Sequence, residues 1–553
     1  MSVPVLDIKG LTIALPRVAD RAHAVEGVDI QVHPREIVCV VGESGSGKSV
    51  TAFSIMGLLP RVLKPVRGSI RLQGEEVLGA SPGRLRELRG SRMAMVFQEP
   101  MTALNPVLPV GEQIAEALEW HATPLGKAQR RQRVLDLMAD VHLPEPERLA
   151  RSYPHQLSGG QRQRIMIAMA LANEPALIVA DEPTTALDVT TQAQILKLMR
   201  ELQARHDTGI LFITHDFGVV AEIADRVVVM QNGRVVETGD VADILDRPCH
   251  PYTRMLIAAV PDARPRPPRQ LPAGERPLLT THALAKTYGE GLFRRSARKV
   301  RALDGVEITV GRGETLGIVG ESGSGKSTLA RCIARFVDPS AGEIRLDGED
   351  IAHKNARELR PYRRRVQMIF QDPYRSLNPR RTIGQSIVEG PQNYGVPGEE
   401  AAARARRLLD LVGIESRALD RFPHEFSGGQ RQRIAIARAL AMEPELLVAD
   451  EAVSALDVSV QAQVLSLLES IRETFGLSIL FITHDLRVAA RLCDRVAVML
   501  NGRVVEYGAT QEVFLDPQHA YTRALFAAAP GRRRLEPAVP PSRAAEAVAA
   551  AEG

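Results

Sequence analysis

Cysteine is scarce in this sequence: its 553 residues include four, Cys39, Cys249, Cys332 and Cys493. These cysteines lie far apart, and no two of them form a CxxC pair. Neither a disulfide framework nor a cysteine metal site is therefore predicted. Isolated thiols are typical of a protein in a reducing compartment.

Long apolar runs are also missing. No stretch approaches the roughly 18 to 20 consecutive apolar residues that a membrane-spanning helix needs. The first residues lack a basic segment that leads into an apolar stretch, so we predict no secretory signal. We expect a protein that is cytoplasmic or that lies on a membrane from the cytoplasmic side.

Neither sign of charge is in large excess. The formal net charge is +4, and 44% of the residues are hydrophobic. These values are typical of an ordinary globular protein, and we predict no nucleic-acid partner. The length exceeds what a single hydrophobic core covers, so two or more domains are expected.

What the sequence does contain is a long internal repeat. Three segments recur unchanged: 41–49 (VGESGSGKS) at 319–327, 158–165 (SGGQRQRI) at 427–434, and 212–216 (FITHD) at 481–485. A period this long indicates duplicated domains rather than a solenoid. We call the two halves copy one and copy two.

Proline marks the boundary between the copies. Residues 261–272 (PDARPRPPRQLP) disfavour helix and sheet, and they favour an extended spacer. We predict a first domain over 1–262, a linker over 263–277, a second domain over 278–530 and a flexible tail over 531–553.

Short apolar runs precede the polar motifs of each copy. Residues 37–41, 177–180 and 210–213 of copy one are continuous apolar stretches. Such runs suit strands of a parallel sheet that is covered by helices on both faces. The sequence therefore predicts an α/β fold with functional residues at the carboxyl ends of its strands.

The unchanged glycine-rich segment fits the phosphate-binding pattern GxxxxGK[ST] twice. Its glycines let backbone N–H groups surround phosphate oxygens at the N-terminus of a helix. We expect the lysines to reach the β- and γ-phosphates and the serines to bind Mg²⁺. The predicted nucleotide-binding residues are Gly42, Gly45, Gly47, Lys48, Ser49, Gly320, Gly323, Gly325, Lys326 and Ser327.

An Asp-Glu pair ends a later apolar run in each copy, at Asp181-Glu182 and Asp450-Glu451. Each aspartate is predicted to hold the magnesium ion. Each glutamate is predicted to orient and deprotonate the attacking water.

The SGGQ segment supplies a second anion site, because its serine hydroxyl and free N–H groups begin a helix. One domain has only one γ-phosphate to bind, so a second anion site makes sense if it caps the nucleotide of the other copy. The predicted residues are Ser158, Gly160, Gln161, Ser427, Gly429 and Gln430.

With these motifs in both halves, the chain resembles an ATP-binding-cassette (ABC) ATPase. The resemblance implies two P-loop nucleotide-binding domains that bind ATP and Mg²⁺, each with an antiparallel β subdomain and a helical subdomain that carries SGGQ. It also implies a head-to-tail pair, in which Ser427 completes the site of Lys48 and Ser158 completes the site of Lys326.

The resemblance assigns further roles by position. Gln98 and Gln371 are implied to act in catalysis and at the metal. His215 and His484 are implied to contact the γ-phosphate and hold the catalytic geometry.

Other segments resemble the ATPases of bacterial dipeptide, oligopeptide and nickel importers. They are the FQ-[DE]-P…LNP stretches at 97–106 and 370–379, and the endings His-Pro-Tyr-Thr at 250–253 and His-Ala-Tyr-Thr at 519–522. The fused form resembles the ATPases of microcin C and glutathione importers. The resemblance implies two membrane permeases, an extracytoplasmic binding protein and a place at the cytoplasmic face of the inner membrane. Peptide, glutathione, a microcin-like peptide, nickel or a sugar conjugate remain open as cargo.

The sequence departs from this family at three places. No cysteine cluster follows Cys249, so we expect no iron–sulfur cluster. Ala452 replaces the usual proline after the glutamate, which should loosen that turn slightly. Leu15 aligns with Tyr288, so copy one lacks the aromatic residue that stacks on adenine in most cassettes, unless Val18 or His23 covers the base.

Two alternatives belong to other classes. A tandem-cassette translation factor would carry a long charged helical segment between its cassettes, whereas this linker is short and rich in proline. A DNA-repair or chromosome-organising cassette would need a coiled coil or a zinc insertion, for which the motif spacing leaves no room.

Overall fold

The computed structural model describes residues 3–16, 21–121, 125–185, 187–261, 264–269, 276–289, 299–454 and 456–529. The predicted tail over 531–553 and Val18 lie outside these ranges. Within the described residues, each copy contains two β-sheets and a set of helices.

Copy one contributes ten of the described strands and copy two another ten. In copy one they are β1 (Leu6–Ala14), β2 (His23–Val32), β3 (Ile37–Val41), β4 (Lys64–Leu72), β5 (Glu75–Glu76), β6 (Met93–Val96), β7 (Leu177–Asp181), β8 (Gly209–Ile213), β9 (Arg226–Gln231) and β10 (Arg234–Asp240). In copy two they are β11 (Leu279–Tyr288), β12 (Val300–Val310), β13 (Thr315–Val319), β14 (Ala341–Leu346), β15 (Glu349–Asp350), β16 (Val366–Ile369), β17 (Leu446–Asp450), β18 (Ser478–Ile482), β19 (Arg495–Leu500) and β20 (Arg503–Ala509).

The helices follow the same duplicated order. In copy one they are α1 (Lys48–Ile55), α2 (Pro82–Leu88), α3 (Pro100–Ala103), α4 (Val110–His121), α5 (Lys127–Asp140), α6 (Pro146–Leu149), α7 (Gly159–Leu171), α8 (Val189–Arg205), α9 (Phe217–Ile223), α10 (Val241–Asp246) and α11 (Pro251–Ala259). In copy two they are α12 (Lys326–Ile333), α13 (Arg360–Arg365), α14 (Pro373–Ser376), α15 (Ile383–Asn393), α16 (Gly398–Leu411), α17 (Gly428–Leu440), α18 (Val458–Phe475), α19 (Leu486–Leu492), α20 (Thr510–Leu515) and α21 (Ala520–Ala527). Short 3₁₀ turns cover Pro154–Gln156, Ser416–Asp420 and Pro423–Glu425.

The central sheet of copy one has six strands in the order β10-β9-β3-β8-β7-β6. All its neighbours pair in parallel except β9 and β10. Copy two repeats this order in β20-β19-β13-β18-β17-β16. The predicted α/β class is confirmed. Because β3, β8 and β7 are adjacent and parallel, the loops after them meet at one edge of the sheet.

Side chains on the two faces of β3 enter different cores. Cys39 and Val41 pack with the helices, whereas Val38 and Val40 pack with a four-stranded antiparallel sheet, β2-β1-β4-β5. The alternation follows from the two-residue period of a strand. Burial on both faces explains why these runs are apolar at every position.

The antiparallel sheets of the two copies have matching register. Leu6 pairs with Val32 and Ala14 with His23 in copy one, as Leu279 pairs with Val310 and Thr287 with Arg301 in copy two. The residues that follow these strand positions, Leu15 and Tyr288, are therefore equivalent, as the sequence alignment predicts.

The proline-rich linker lies against copy two where it is described, over 264–269. Arg269 donates to both carboxylate oxygens of Asp494, at 2.9 and 2.6 Å. Arg266 donates to the carbonyl of Leu492 at 2.8 Å and lies 3.5 Å from Glu469. In copy one, Asp225 is the equivalent of Asp494, and it pairs with Arg200 of its own domain. The linker thus supplies to copy two an arginine that copy one carries internally.

Among the described helices, none is at once long and apolar enough to cross a membrane.

Candidate functional site

The glycine-rich loop of each copy joins the first parallel strand to a helix, from β3 into α1 and from β13 into α12. Gly47 and Gly325 precede these helices with φ of 102° and 107°, a conformation that side chains rarely adopt. Lys48 Nζ donates to the carbonyls of Gly42 and Glu43 at 2.7 and 2.9 Å. The ammonium group therefore lies at the mouth of the loop, where a phosphate would bind.

Lys326 repeats this arrangement in copy two. Its Nζ donates to the carbonyls of Gly320 and Glu321, both at 2.7 Å. Burial lowers the pKa of Lys48 and of Lys326, and nearby carboxylates led by Glu182 and Glu451 oppose that effect.

The serine after each lysine faces the aspartate that ends the neighbouring strand. Ser49 Oγ donates to Asp181 Oδ1 at 3.2 Å, and Ser327 Oγ donates to Asp450 Oδ1 at 3.0 Å. Burial raises the pKa of Asp181 to about 6, against the hydrogen bond from Ser49. Each pair places a hydroxyl and a carboxylate oxygen together, the donor type that Mg²⁺ prefers.

Glu182 follows β7 with φ of 47°, and Glu451 follows β17 with φ of 48°. This left-handed backbone costs a non-glycine residue roughly 1 to 3 kcal/mol, and such residues cluster at active sites. In copy one, Gln98 Nε2 donates to Glu182 Oε2 at 2.9 Å, and Thr185 Oγ1 donates to the same oxygen at 2.9 Å. His215 Nδ1 lies 3.2 Å from Glu182 Oε1.

Copy two has the same cluster with two differences, in the carboxylate oxygen that the histidine approaches and in the acceptor of the hydroxyl group. Gln371 Nε2 donates to Glu451 Oε2 at 2.8 Å, and His484 Nδ1 lies 3.4 Å from that oxygen. Ser454, the equivalent of Thr185, instead donates its hydroxyl to the backbone carbonyl of Glu451 at 3.0 Å. The Ala452 turn keeps the glutamate in the same backbone conformation as in copy one.

Each glutamate and histidine shift one another's protonation. Burial would raise the pKa of Glu182, but the hydrogen bond and charge of His215, the hydrogen bond from Thr185 and the charge of Lys48 together outweigh burial and lower it. Burial would lower the pKa of His215, but the hydrogen bond and charge of Glu182, together with the charges of Asp216 and Asp457, raise it. Glu451 and His484 show the same pair of shifts. The contact therefore favours a carboxylate beside an imidazolium.

The predicted SGGQ helices begin as expected. Ser158 accepts from the N–H of Gln161 at 3.3 Å to cap α7, and Ser427 accepts from Gln430 at 3.3 Å to cap α17. A side chain at Gly160 would come within 2.5 Å of Thr191, so this glycine is needed for close packing against α8.

The two copies meet at the glycine-rich loop of copy one. The N–H of Ser44 donates to Asp457 Oδ1 of copy two at 2.9 Å, and Ser459 of copy two donates to Glu43. We call Leu187-Asp188 and Leu456-Asp457 the D-loops.

A cavity beside Lys326 shows that residues of copy one also lie close to the phosphate loop of copy two. Its described lining includes Ser327, Gln371, Glu451 and His484 of copy two, together with Thr185, Leu187 and Asp188 of copy one. Ser158 is not part of this lining. The structure brings the D-loop of each copy to the phosphate loop of the other, while the SGGQ serines stand outside the cavity.

The tyrosine in each C-terminal ending was missed as a site residue. Tyr252 OH accepts from the N–H of Glu43 at 3.1 Å and donates to its carboxylate at 3.2 Å. Tyr521 OH accepts from the N–H of Glu321 at 3.1 Å. The sequence did contain a signal for these residues: a Tyr-Thr pair recurs at the end of each copy, so that a tyrosine hydroxyl occupies the equivalent position in both domains.

The region predicted for adenine differs between the copies. In copy one, an open groove is lined by Leu15, Arg21, His23 and Gly45. In copy two, Tyr288 is 40% exposed, and Lys286 Nζ lies 5.3 Å from its ring centre. His23, one of the two alternatives to Leu15, therefore does line the groove.

Comparison with known proteins agrees with this geometry. The model of the ABC transporter family matches residues 25–185 and 303–454. The model of the oligopeptide/dipeptide transporter C-terminal region matches residues 236–290 and 505–550. The first covers the glycine-rich loop, the SGGQ segment and the Asp-Glu pair of both copies, and the second covers the endings that contain Tyr252 and Tyr521.

Several curated proteins are similar along nearly the whole chain. The glutathione import ATP-binding proteins GsiA of Escherichia coli (strain K12) and Salmonella typhimurium (strain LT2) are 47% identical, over 95% of this chain and 89% of theirs. That of Shigella dysenteriae serotype 1 is 46% identical over the same shares. These matches contradict the translation-factor alternative. The chain belongs to the ABC transporter family, as a tandem-cassette ATPase of the type with an oligopeptide/dipeptide transporter C-terminal region.

Proposed function

We propose that this chain energises the import of a small peptide, with glutathione the first candidate, by hydrolysing ATP at two composite sites. The contact between Ser44 and Asp457 carries the proposal, because it joins the phosphate loop of one copy to the D-loop of the other. With ATP bound between the copies, Ser427 would complete the site of Lys48, and Ser158 would complete the site of Lys326.

Within each site the side chains divide the work. Glu182 and Glu451 would orient the attacking water and accept its proton, since their carboxylates are held ionised beside the histidines. His215 and His484 would hold each glutamate and contact the γ-phosphate. Tyr288 would stack on the adenine of the second site.

Magnesium fits the donors that the chain offers. Ser49, Asp181 and Gln98 supply oxygen atoms in copy one, and Ser327, Asp450 and Gln371 supply them in copy two. Bound Mg²⁺ would neutralise charge on the β- and γ-phosphates.

A peripheral place at the cytoplasmic face of the inner membrane is part of the same proposal, with two permeases and a solute-binding protein as partners. Exposed apolar side chains in the segments that follow Gln98 and Gln371 support a partner surface: Met101 is 58% exposed, Val107 73% and Tyr374 63%. The domain limits proposed for this assembly are 1–262 and 278–530, with a linker over 263–277.

The composite sites can be tested by Ser427→Arg in the full chain. Arginine at this position should block hydrolysis at the Lys48 nucleotide, although the two residues belong to different domains. Photo-crosslinking of labelled ATP, followed by cleavage at the linker, assigns turnover to each copy. Ser158→Arg is the matched variant and should block the other site. Undiminished turnover at the Lys48 site with Ser427→Arg would contradict the head-to-tail assignment.

The transport assignment needs the whole importer. Proteoliposomes that contain the chain, its permeases and the binding protein should accumulate labelled glutathione when ATP is enclosed. A dipeptide, an oligopeptide and Ni²⁺ in parallel vesicles decide between cargo classes. Uptake of Ni²⁺ without uptake of any peptide would overturn the peptide assignment.

A further inference from the structure

Arg487 of copy two reaches into copy one. Its Nη1 and Nη2 donate to the two carboxylate oxygens of Asp216 at 2.9 and 3.0 Å. Its Nε and Nη2 also donate to Asp485 of its own copy, both at 3.1 Å. The Arg487 side chain is only 15% exposed, so this double ion pair is largely shielded from water.

Both aspartates stand next to the histidine of a nucleotide site. Asp216 follows His215, and its side chain caps α9 by accepting from the N–H of Gly218 at 2.8 Å. Asp485 follows His484 and caps α19 in the same way, from the N–H of Arg487 at 2.9 Å. Each aspartate thus fixes where its histidine loop enters a helix.

A continuous chain of contacts therefore joins the two proposed catalytic glutamates. It runs from Glu182 through His215 and Asp216 to Arg487, and then through Asp485 and His484 to Glu451. The same region encloses a cavity between the copies, lined by Thr214, Asp216, Thr184 and Ser454 among others.

The link is built from one side only. Gly218 holds the position in copy one that Arg487 holds in copy two, so copy one offers no equivalent arm. One guanidinium serves two carboxylates. Burial would raise the pKa of Asp216, but the charge and hydrogen bonds of Arg487, with smaller contributions from the N–H of Gly218 and from His215, together lower it. Without Arg487, two partly buried carboxylates would face each other and repel.

We infer that Arg487 is a positioning residue that couples the two ATP sites, by holding both histidine loops on one guanidinium. A shift of either loop on hydrolysis must then move the other loop or break the pairing with Arg487. The inference rests on the proposed hydrolysis at both sites.

Coupling can be measured in the full-length chain by a mutant cycle. Glu182→Gln and Glu451→Gln are each made in the wild-type chain and in a chain that carries Arg487→Met. Methionine keeps most of the length of the arginine side chain but has no charge. If the sites were independent, one glutamine would leave about half of the parent ATPase rate. Coupling free energies are typically about 1 to 3 kcal/mol. With Arg487 present we therefore expect each single glutamine variant to have an ATPase rate at least about fivefold below half of the parent rate.

With Arg487→Met, each glutamine should instead leave about half of the rate of the Arg487→Met parent. Arg487→Lys keeps one charge without the paired geometry, and should restore part of the coupling. Asp216→Asn removes the carboxylate of copy one that pairs with Arg487 but keeps a good helix cap. It should therefore weaken the coupling as Arg487→Met does. A merely structural arginine would alter thermal stability without altering this ratio.

Arg491→Met is the matched control. Arg491 lies one helical turn further along and contacts Ser466 and Glu469 of its own copy. Its loss should leave the coupling unchanged. If Arg487→Met does not fold, as judged by its thermal unfolding, Asp216→Asn decides the question.

Three results have distinct meanings. Coupling that persists in both Arg487→Met and Asp216→Asn overturns the role of Arg487. The role of Arg487 is also overturned if a chain with Arg487 in place keeps half of the parent rate after either glutamine substitution, because the two sites are then not coupled. If neither glutamine lowers hydrolysis at all, the proposed function fails instead.

Discussion

Asp457 accepts a hydrogen bond from the backbone N–H of Ser44, although the two residues are 413 positions apart. Its counterpart Asp188 accepts instead from Thr191 at the start of its own helix, at 2.9 Å. Two equivalent aspartates therefore have different partners, and the interface between the copies departs from two-fold symmetry.

Asp457→Ala should slow hydrolysis at the Lys48 site more than Asp188→Ala slows it at the Lys326 site. A hydrogen bond to a charged group contributes about 1.5 to 3 kcal/mol, and about 1.4 kcal/mol is tenfold in rate. We therefore expect a loss of at least about tenfold at the first site. Rates are measured for the first site with Glu451→Gln and for the second with Glu182→Gln as background. Equal losses at the two sites would mean that the crossing contact has no special role.

Both sites should be hydrolytic, since both keep a glutamate held by a glutamine and a histidine. Glu182→Gln and Glu451→Gln should each cut turnover at the altered site by roughly 10² to 10⁴-fold, the usual contribution of a general base. ATP binding should persist, because the lost interaction acts mainly in the transition state. Equilibrium binding of labelled ATP and single-turnover hydrolysis separate the two effects. A site that still turns over normally after its substitution is not served by that glutamate.

The Lys48 site should bind ATP more weakly than the Lys326 site. Stacking of a base on an aromatic ring contributes about 1 to 3 kcal/mol, and Leu15 has no ring face to match Tyr288. A loss near 1.4 kcal/mol corresponds to about tenfold in affinity. Lys326→Ala reports the first site, Lys48→Ala reports the second, and Leu15→Tyr should strengthen the first.

Tyr288→Leu is the matched control for the second site, and it should weaken binding there by a similar factor. If the two sites bind equally, and Leu15→Tyr changes nothing, copy one holds the base by another contact. His23 is then the first residue to replace, because it lines the same groove.

The linker should stabilise copy two as well as connect it. Arg269→Ala removes both hydrogen bonds to Asp494, whose side chain is only 5% exposed. Loss of a hydrogen bond to a charged group costs about 1.5 to 3 kcal/mol in the free energy of unfolding. Chemical denaturation measures this loss. Arg35→Ala breaks the exposed ion pair with Asp207 and should cost less than about 1 kcal/mol.

The same contact predicts a pH dependence. Burial would raise the pKa of Asp494, but the hydrogen bond from Arg269 and its neighbours lowers it below 3.8. A lowered carboxyl pKa stabilises the fold fully above the unfolded value, and that stability is lost as the pH falls through the folded value. The difference between wild type and Arg269→Ala should therefore be constant above about pH 5 and narrow below about pH 4. A difference that grows on acidification would contradict the ion pair.

The sequence predicted the fold class and, within each copy, the grouping of the lysine, the serine and the Asp-Glu pair at the phosphate loop, because these follow from local patterns. A glycine-rich loop between an apolar strand and a helix carries its own geometry, and adjacent parallel strands bring Asp181 and His215 to the same edge. The equivalence of Leu15 and Tyr288 also followed, since the strand registers agree.

The contacts between the copies could not be predicted in this way. The contacts of Ser44 with Asp457 and of Arg487 with Asp216 depend on how two whole domains pack. Periodicity and motif spacing say nothing about such distances. The sequence signal for Arg487 was a difference between the copies, an arginine where copy one has Gly218. The linker contacts were hidden for a similar reason, since they replace the internal pair of Arg200 and Asp225.

Because part of the linker is bound to copy two, the stretch of chain that connects the copies freely is far shorter than the proline-rich segment. Pro261 lines the cavity between the copies, and Arg266 is already fastened to Leu492 and Asp494. Five peptide units separate these two residues, and a fully extended chain covers at most about 3.6 Å per unit. The copies can then part at this edge by no more than about 18 Å before the anchor at Arg266 must give way. Any wider separation of the two copies after nucleotide release has to occur at the edge of their interface opposite the linker. The edge that carries the linker then acts as the hinge.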